Sequence, residues 1–236
     1  MNNLADGETH VFKRDAEVPP HVIELAERDN IDLSQMYRHS MIKRDDGEHV
    51  TVWVHNSYDE EDDTDVADDL EVHLAKRQSV RPNSSFDNRA GRNSCQMNNA
   101  AYTGDTGPGA PFTGGAAAIV NWSSGCRGRW FISGSAVNQD LLVAGSNSGG
   151  NMRFTIRVDE NINAATWREF GCGDVGNLVR TSRERFQRVY NGRERVRARG
   201  TVPCNTVRTM CYKNLCQPVV GNVRVIWAMD NTSARV

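Results

Sequence analysis

Between Arg180 and Arg199 the chain carries eight arginines and two glutamates, a local charge of +6 in twenty residues. A guanidinium presents a planar fork of donors, so clustered arginines are suited to anions that bear several oxygens. Arg195, Arg197 and Arg199 fall on one side of an alternating run that ends at Cys204. Arg153 and Arg157 fall likewise on the polar side of Met152–Val158, and Arg224 on that of Val223–Met229. If these runs form one sheet whose apolar side meets a helix, the other side is an arginine-lined binding face. Phospholipid headgroups, acidic polysaccharide and nucleic acid are the candidate ligands. Nucleic acid is the least favoured, because only Phe131 places an aromatic ring on the Arg129 side and stacking platforms need several. The plainer alternative is that a solvated sheet face simply needs charge.

The distribution of histidine narrows the catalytic chemistry. All six histidines (His10, His21, His39, His49, His55, His73) lie before residue 78, so 78–236 alone offers no Ser-His-Asp triad, no Cys-His pair and no histidine zinc site. No metal and no cofactor are expected. Lys213 is the only lysine after residue 77, and the even number of cysteines there leaves no thiol nucleophile expected. Carboxylate pairs are the remaining route, with Asp140, Asp159, Glu160, Glu169, Asp174, Glu184 and Glu194 as the stock for glycoside hydrolysis. Each has a structural explanation as a strand exit, helix cap or arginine partner, so binding is expected over catalysis.

The chain is chemically divided. Residues 1–77 hold 8 Lys or Arg against 20 Asp or Glu, a balance of −12, whereas residues 78–236 hold 20 against 10, a balance of +10. Cys95, Cys126, Cys172, Cys204, Cys211 and Cys216 all lie in the second part. Three dibasic pairs, Lys13-Arg14, Lys43-Arg44 and Lys76-Arg77, all lie in the first, and the second has none. That distribution is similar to kexin-type processing of fungal secretory precursors. It implies an acidic prosegment (1–77), a flexible Gly/Asn/Ser/Arg-rich leader (78–94) and a cysteine-containing domain (95–236). Paired cysteines point to an oxidising, extracellular setting. Glycosylation sequons at Asn83, Asn121 and Asn231 agree with it. No apolar signal-peptide core is visible in the first twenty residues, and no apolar run is long enough to cross a bilayer. The charge opposition further suggests that the prosegment binds the domain and masks its arginine face until cleavage.

Strands are expected at Met152–Val158, Arg195–Cys204 and Val223–Met229 from period-two alternation, with weaker ones at Arg129–Ser133 and Leu141–Ala144. Val175, Leu178, Val179, Ser182, Phe186, Val189 and Tyr190 recur at helical spacing, which predicts a helix capped by Asp174 and stopped by Asn191-Gly192. A shorter helix is predicted at Gly115–Asn121. In the prosegment, Val22–Met41 reads as helix and His49–His55 as strand. The fold class is therefore α+β: an antiparallel β-sheet with one or two helices packed on one face, stabilised by disulfides.

The run "GDVGNLVRTSRERF", then "GRERVRARGTVPC", then "VRVIWAM" resembles the C-terminal half of a fungal secreted effector family of necrosis-inducing factors, killer-toxin-like α/β sandwiches. Upstream, "GGAAAIV" and "RGRWFIS" are similar to the family's short helix and Gly-x-Trp strand, and the likeness covers roughly 95–230. The resemblance implies a Cys95–Cys204 bridge and makes Cys126, Cys172, Cys211 and Cys216 additions; six cysteines allow fifteen pairings, of which Cys126–Cys172 with Cys211–Cys216 is one choice that the sequence leaves open. Where the family carries a further bridge, this chain has Ala116 and Met152. The resemblance also implies a secreted effector or toxin-like protein that binds an anionic or cell-surface target of another organism. A membrane-perturbing killer-toxin-like antimicrobial is the alternative, and a carboxylate glycoside hydrolase the second.

Overall fold

The computed structural model describes residues 5–14, 16–44, 47–58, 84–133, 138–146, 151–158, 166–212 and 215–232. Its N-terminal elements are β1 (Thr9–Val11), α1 (Pro20–Arg28), β2 (Met36–Lys43) and β3 (His49–His55). Then come β4 (Ser84–Asp87), β5 (Ala101–Gly104), α2 (Thr113–Gly125), β6 (Arg129–Ser133), β7 (Asn138–Ser146) and β8 (Met152–Val158). The chain continues through β9 (Thr166–Gly171), α3 (Cys172–Phe186), β10 (Arg188–Tyr190), β11 (Arg193–Arg195), β12 (Ala198–Tyr212) and β13 (Leu215–Asn231). Eleven strands form one antiparallel sheet in the order β1-β2-β3-β7-β8-β13-β12-β9-β6-β4, with β5 also on β12; β10 and β11 make a separate hairpin. This is the expected α+β class, and disulfides Cys95–Cys204 and Cys126–Cys172 staple it.

The alternation read from sequence sets which face is inside. Met152, Phe154 and Ile156 of β8 and Val225, Trp227 and Met229 of β13 are buried on the side covered by α2 and α3. Phe154 and Trp227 stack at 6.4 Å, and Tyr102 meets Trp227 edge-on at 5.4 Å. Helix α2 is apolar around most of its circumference because it lies between strands β3 and β7 on one side and α3 on the other. Gly176 lets the two helices close, since a Cβ there would collide with Ser123. Cys126 at the end of α2 and Cys172 at the start of α3 fix their crossing.

Three local expectations are corrected. The helix predicted to run to Tyr190 ends at Phe186, and Arg188–Tyr190 pairs with Arg193–Arg195 instead. Asn191 and Gly192 have φ of 51° and 73°, the left-handed pair of a tight two-residue hairpin turn. Val189, counted as helical core, is 64% exposed on that hairpin. The helix predicted over Val22–Met41 stops at Arg28, where Asn30 turns left-handed (φ 53°), and Met36–Lys43 is a strand. Asp174 is not the cap itself but the third helical residue, accepting from the Gly171 N–H at 2.9 Å.

Residues 5–58 are built into the same sheet as the rest. β3 pairs with β7 from Val50↔Ser146 to Val54↔Leu142. Val50, Val52 and Val54 enter the main core, and Tyr58, 1% exposed, sits against Phe86 (4.6 Å), Trp122 (5.2 Å) and Trp130 (6.1 Å). The alternate residues Trp53 and Val143 face the opposite side, where Val22 and Ala26 of α1 and Met36 cover them. α1 is thus the one helix on that face among the described residues. The span 78–94, expected as a flexible leader, carries β4, which pairs with β6. Backbone pairing and apolar burial are not screened by ions, whereas surface charge attraction is. A chain cut after Arg77 should therefore keep its two pieces together on gel filtration even in about 1 M salt. Separation at that salt would show that charge opposition holds them.

Candidate functional site

The outward face of β7, β8, β13 and β12 carries the arginines. In register, Arg157 lies beside Ile226 and Ile226 beside Thr201; one pair further along, Thr155, Ala228 and Arg199 line up, and then Arg153 and Asp230. Arg157, Arg199 and Arg224 are exposed. From the sheet spacings their Cα atoms are about 8 Å (Arg157 to Arg224) and about 12 Å (Arg157 to Arg199) apart. Arg224 also donates to Thr201 Oγ1 at 3.1 Å.

The five arginines grouped by sequence thus divide. Arg153 is held by Asp140 at 3.2 Å and donates to the carbonyls of Asn30 (3.1 Å) and Thr232 (3.2 Å). Arg197 pairs with Asp230 at 2.7 Å. Arg195 stands on the β10–β11 hairpin, outside the large sheet, donating to the Ala110 carbonyl at 2.6 Å and stacking 4.3 Å over Phe112. Arg157 and Arg199 are the two of the five that are exposed on the sheet face, where Arg224 is exposed as well. The sign of the split was present in the sequence: Asp140 and Asp230 sit in the outward phase of their strands.

Four of the seven candidate carboxylates, Asp140, Glu169, Asp174 and Glu194, make contacts within the scaffold. Burial pushes the Asp140 carboxyl up, opposed by Arg153 and the Thr155 hydroxyl, which donates at 2.7 Å. Asp174, fully buried, accepts through Oδ2 from the N–H groups of Gly171, Ser94 and Cys95 and from the Ser94 hydroxyl. Burial raises its pKa and those four hydrogen bonds oppose the rise. Glu169 pairs with Arg129 and Glu194 accepts from the Thr113 hydroxyl at 3.3 Å, while Glu184 is exposed. Asp159 and Glu160 lie outside the described residues.

The dibasic pairs occupy different settings. Arg14 donates to the Asn56 carbonyl and lies 5.3 Å over Tyr37. Lys43 ends β2 and pairs with Asp6 at 3.0 Å, and Arg44 pairs with Glu48 at 3.7 Å. Lys76 and Arg77 lie outside the described residues, as does Asn83. Asn121 is exposed on α2, and Asn231 donates to the Gly109 carbonyl at 3.3 Å. Cys211 and Cys216 face each other in the β12–β13 register. Among the described residues no group of acidic, histidine and cysteine side chains is placed to hold a metal, and no helix is long and apolar enough to cross a membrane.

A histidine does reach the second part, from the first. His55 Nδ1 accepts from the Ser57 N–H (3.1 Å), and the Gln139 side-chain amide lies 3.1 Å from Nε2 and 2.6 Å from Ser84 Oγ. Strand order hid this contact from sequence, because nothing in the chain around His55 announces that β3 pairs with β7.

No family model, curated protein or solved structure matches the chain.

Burial, reinforced by the Arg14 charge, lowers the His55 pKa from 6.5 to about 4. A depressed histidine stabilises the fold above its unfolded value and loses that contribution as pH falls through the folded one. Stability, read as the urea midpoint, should fall between pH 6.5 and 4 by up to about 3 kcal/mol, and His55→Gln should flatten this segment of the profile. An unchanged slope in His55→Gln would assign the acid sensitivity elsewhere.

Proposed function

We propose that this chain is the precursor of a secreted, disulfide-stabilised, effector- or toxin-like protein that acts on another cell by binding an anionic surface. The single observation that carries the reading is that Arg157, Arg199 and Arg224 are exposed together on one face of the sheet. Three forks at fixed spacing engage an acidic polysaccharide or headgroup layer with several charge-assisted hydrogen bonds at once. The disulfides Cys95–Cys204 and Cys126–Cys172 support an oxidising setting. The likeness of the helix-and-strand run to fungal necrosis-inducing effectors supports the fungal assignment, with release by cleavage after Arg77 so that the second chain starts at Gln78. The −12 segment remains the partner of the +10 segment in this reading, docked through β3 and Tyr58.

The arginine triplet gives the test. Replacing Arg157, Arg199 and Arg224 with Gln should leave stability within about 1 kcal/mol, since exposed positions on a sheet tolerate polar substitution. Retention on heparin and on phosphatidylserine vesicles should fall at least about tenfold, because charge-assisted contacts are lost together. Replacing Arg180, Arg183 and Arg188 on and just beyond α3 is the charge-matched control and should matter less. Equal loss from both triplets means that net charge alone governs binding, the outcome expected of a membrane-perturbing antimicrobial with dye release from the same vesicles. No loss from either removes the anion-binding reading.

A further inference from the structure

A cavity of about 400 Å³ lies between α1 and the face of β1, β2 and β3 that α1 covers. Its floor is one row of the ladder: His10 beside Met41, Met41 beside Thr51, and Thr51 beside Gly145. The small residues at the β7 end leave space that a larger side chain would fill. Leu25 and Val22 of α1 roof it, and Phe12 and Trp53 close the side. The lining is mainly apolar, in the size range of small-molecule sites.

Among the described residues, one cation faces this space without a carboxylate. Arg38 lies with its guanidinium carbon 3.6 Å over the Phe12 ring, and the hydrogen bond it makes there runs from Nη2 to the Met41 sulfur at 3.7 Å. Its Nε is buried and has no hydrogen-bond partner among the described residues. Burial accordingly pushes the Arg38 pKa down. The carboxylate at the rim, Asp29, is already closed on Arg28 by two 3.0 Å contacts. A bulge aims Arg38 here: the β2–β3 register slips between Arg38 and Ser40, so His39 turns into the main core against Tyr58 and Trp122 while Arg38 stays on the face of Met41. Without the extra residue, Arg38 and Met41, three apart, would point to opposite faces.

We propose that this cavity binds an apolar carboxylate of medium chain length, its headgroup on Arg38 and its tail along Met41, Leu25 and Trp53. An aliphatic body matches the lining, and a carboxylate supplies the acceptors that the Arg38 fork lacks. The site is independent of the arginine face, so the two readings stand or fall separately.

Titration of the full chain with decanoate, followed by calorimetry and by thermal shift, is the test. Decanoate should bind one to one and raise Tm, and decan-1-ol should bind at least about tenfold more weakly for want of the charge-assisted contact. Arg38→Gln should bring decanoate down to the alcohol's affinity, Arg38→Lys should keep part of the difference, and Leu25→Trp should block both ligands. Folding of each variant is checked by its far-UV spectrum, and the Lys variant keeps the test usable if the Gln variant is unstable. Equal affinity for decanoate and decan-1-ol, undiminished decanoate binding in Arg38→Gln, or no binding to the parent chain would each overturn the proposal.

Discussion

The pairing of β3 with β7 is the contact on which the rest of the molecule depends. It joins two stretches of chain that differ in charge, histidine and cysteine content, and it removes what would otherwise be an open edge at β7. Apolar side chains line both faces of the junction: Val50, Val52 and Val54 point toward α2 and the aromatic cluster around Tyr58, while Trp53 and Val143 point toward α1. A Trp or Tyr buried this completely contributes several kcal/mol, about 3–5 when truncated to Ala. Because the ladder passes through the junction, the roof helix, the cavity beneath it and the His55 contacts all depend on this one pairing.

At the other end of the sheet a single carboxylate has the comparable role. Asp174 Oδ2 gathers the N–H groups of Ser94, Cys95 and Gly171 at 2.9, 3.2 and 2.9 Å. It thereby ties the segment before β5 to the start of α3, beside the Cys95–Cys204 bridge. A buried carboxylate is costly unless its lone pairs are met; here Oδ2 is met by three backbone N–H groups and the Ser94 hydroxyl, while Oδ1 is buried with no hydrogen-bond partner among the described residues. Asp174 is thus a scaffold group, although isolation, burial and a raised pKa would make it look like a general acid if its partners were ignored.

Sequence made the strands of the second part legible because their inward and outward residues differ sharply. Met152–Val158 and His49–His55 match β8 and β3 in their bounds. Legibility failed where two periods coexist. Val189 and Tyr190 continue the helical spacing of α3, but Asn191-Gly192 is also a strong hairpin turn, and the turn prevailed because Arg188–Tyr190 has a strand partner in Arg193–Arg195. Met36–Met41 reads as a continuation of the helix at Val22–Arg28, since a bulge at His39 breaks the alternation that would otherwise mark β2. The binding face was half legible: strand phase put Arg153, Arg157, Arg197 and Arg199 outward together, but which of them meets Asp140 or Asp230 depends on strand order.

The charge division of the chain invites an electrostatic account of how its parts meet, and the geometry argues for a different one. The ion pairs Lys43–Asp6 and Arg28–Asp29 close within the acidic part, and Arg153–Asp140, Arg197–Asp230 and Arg129–Glu169 close within the basic part. At the seam the contacts among the described residues include ladder hydrogen bonds, Tyr58 in an aromatic nest, the His55–Ser84–Gln139 group, and arginine donors on backbone carbonyls, Arg153 to Asn30 and Arg28 to Ser146. Exposed pairs contribute at most about 1 kcal/mol each, so the seam would gain little from charge even if its residues were opposed. Opposite net charges on two segments therefore do not imply that one covers the other's charged face. Arg157, Arg199 and Arg224 stay exposed with residues 5–58 in place. Among the described residues, then, the docking of 5–58 through β3 and Tyr58 and the exposure of these three arginines are compatible, because the docking uses the apolar seam and not those three arginines.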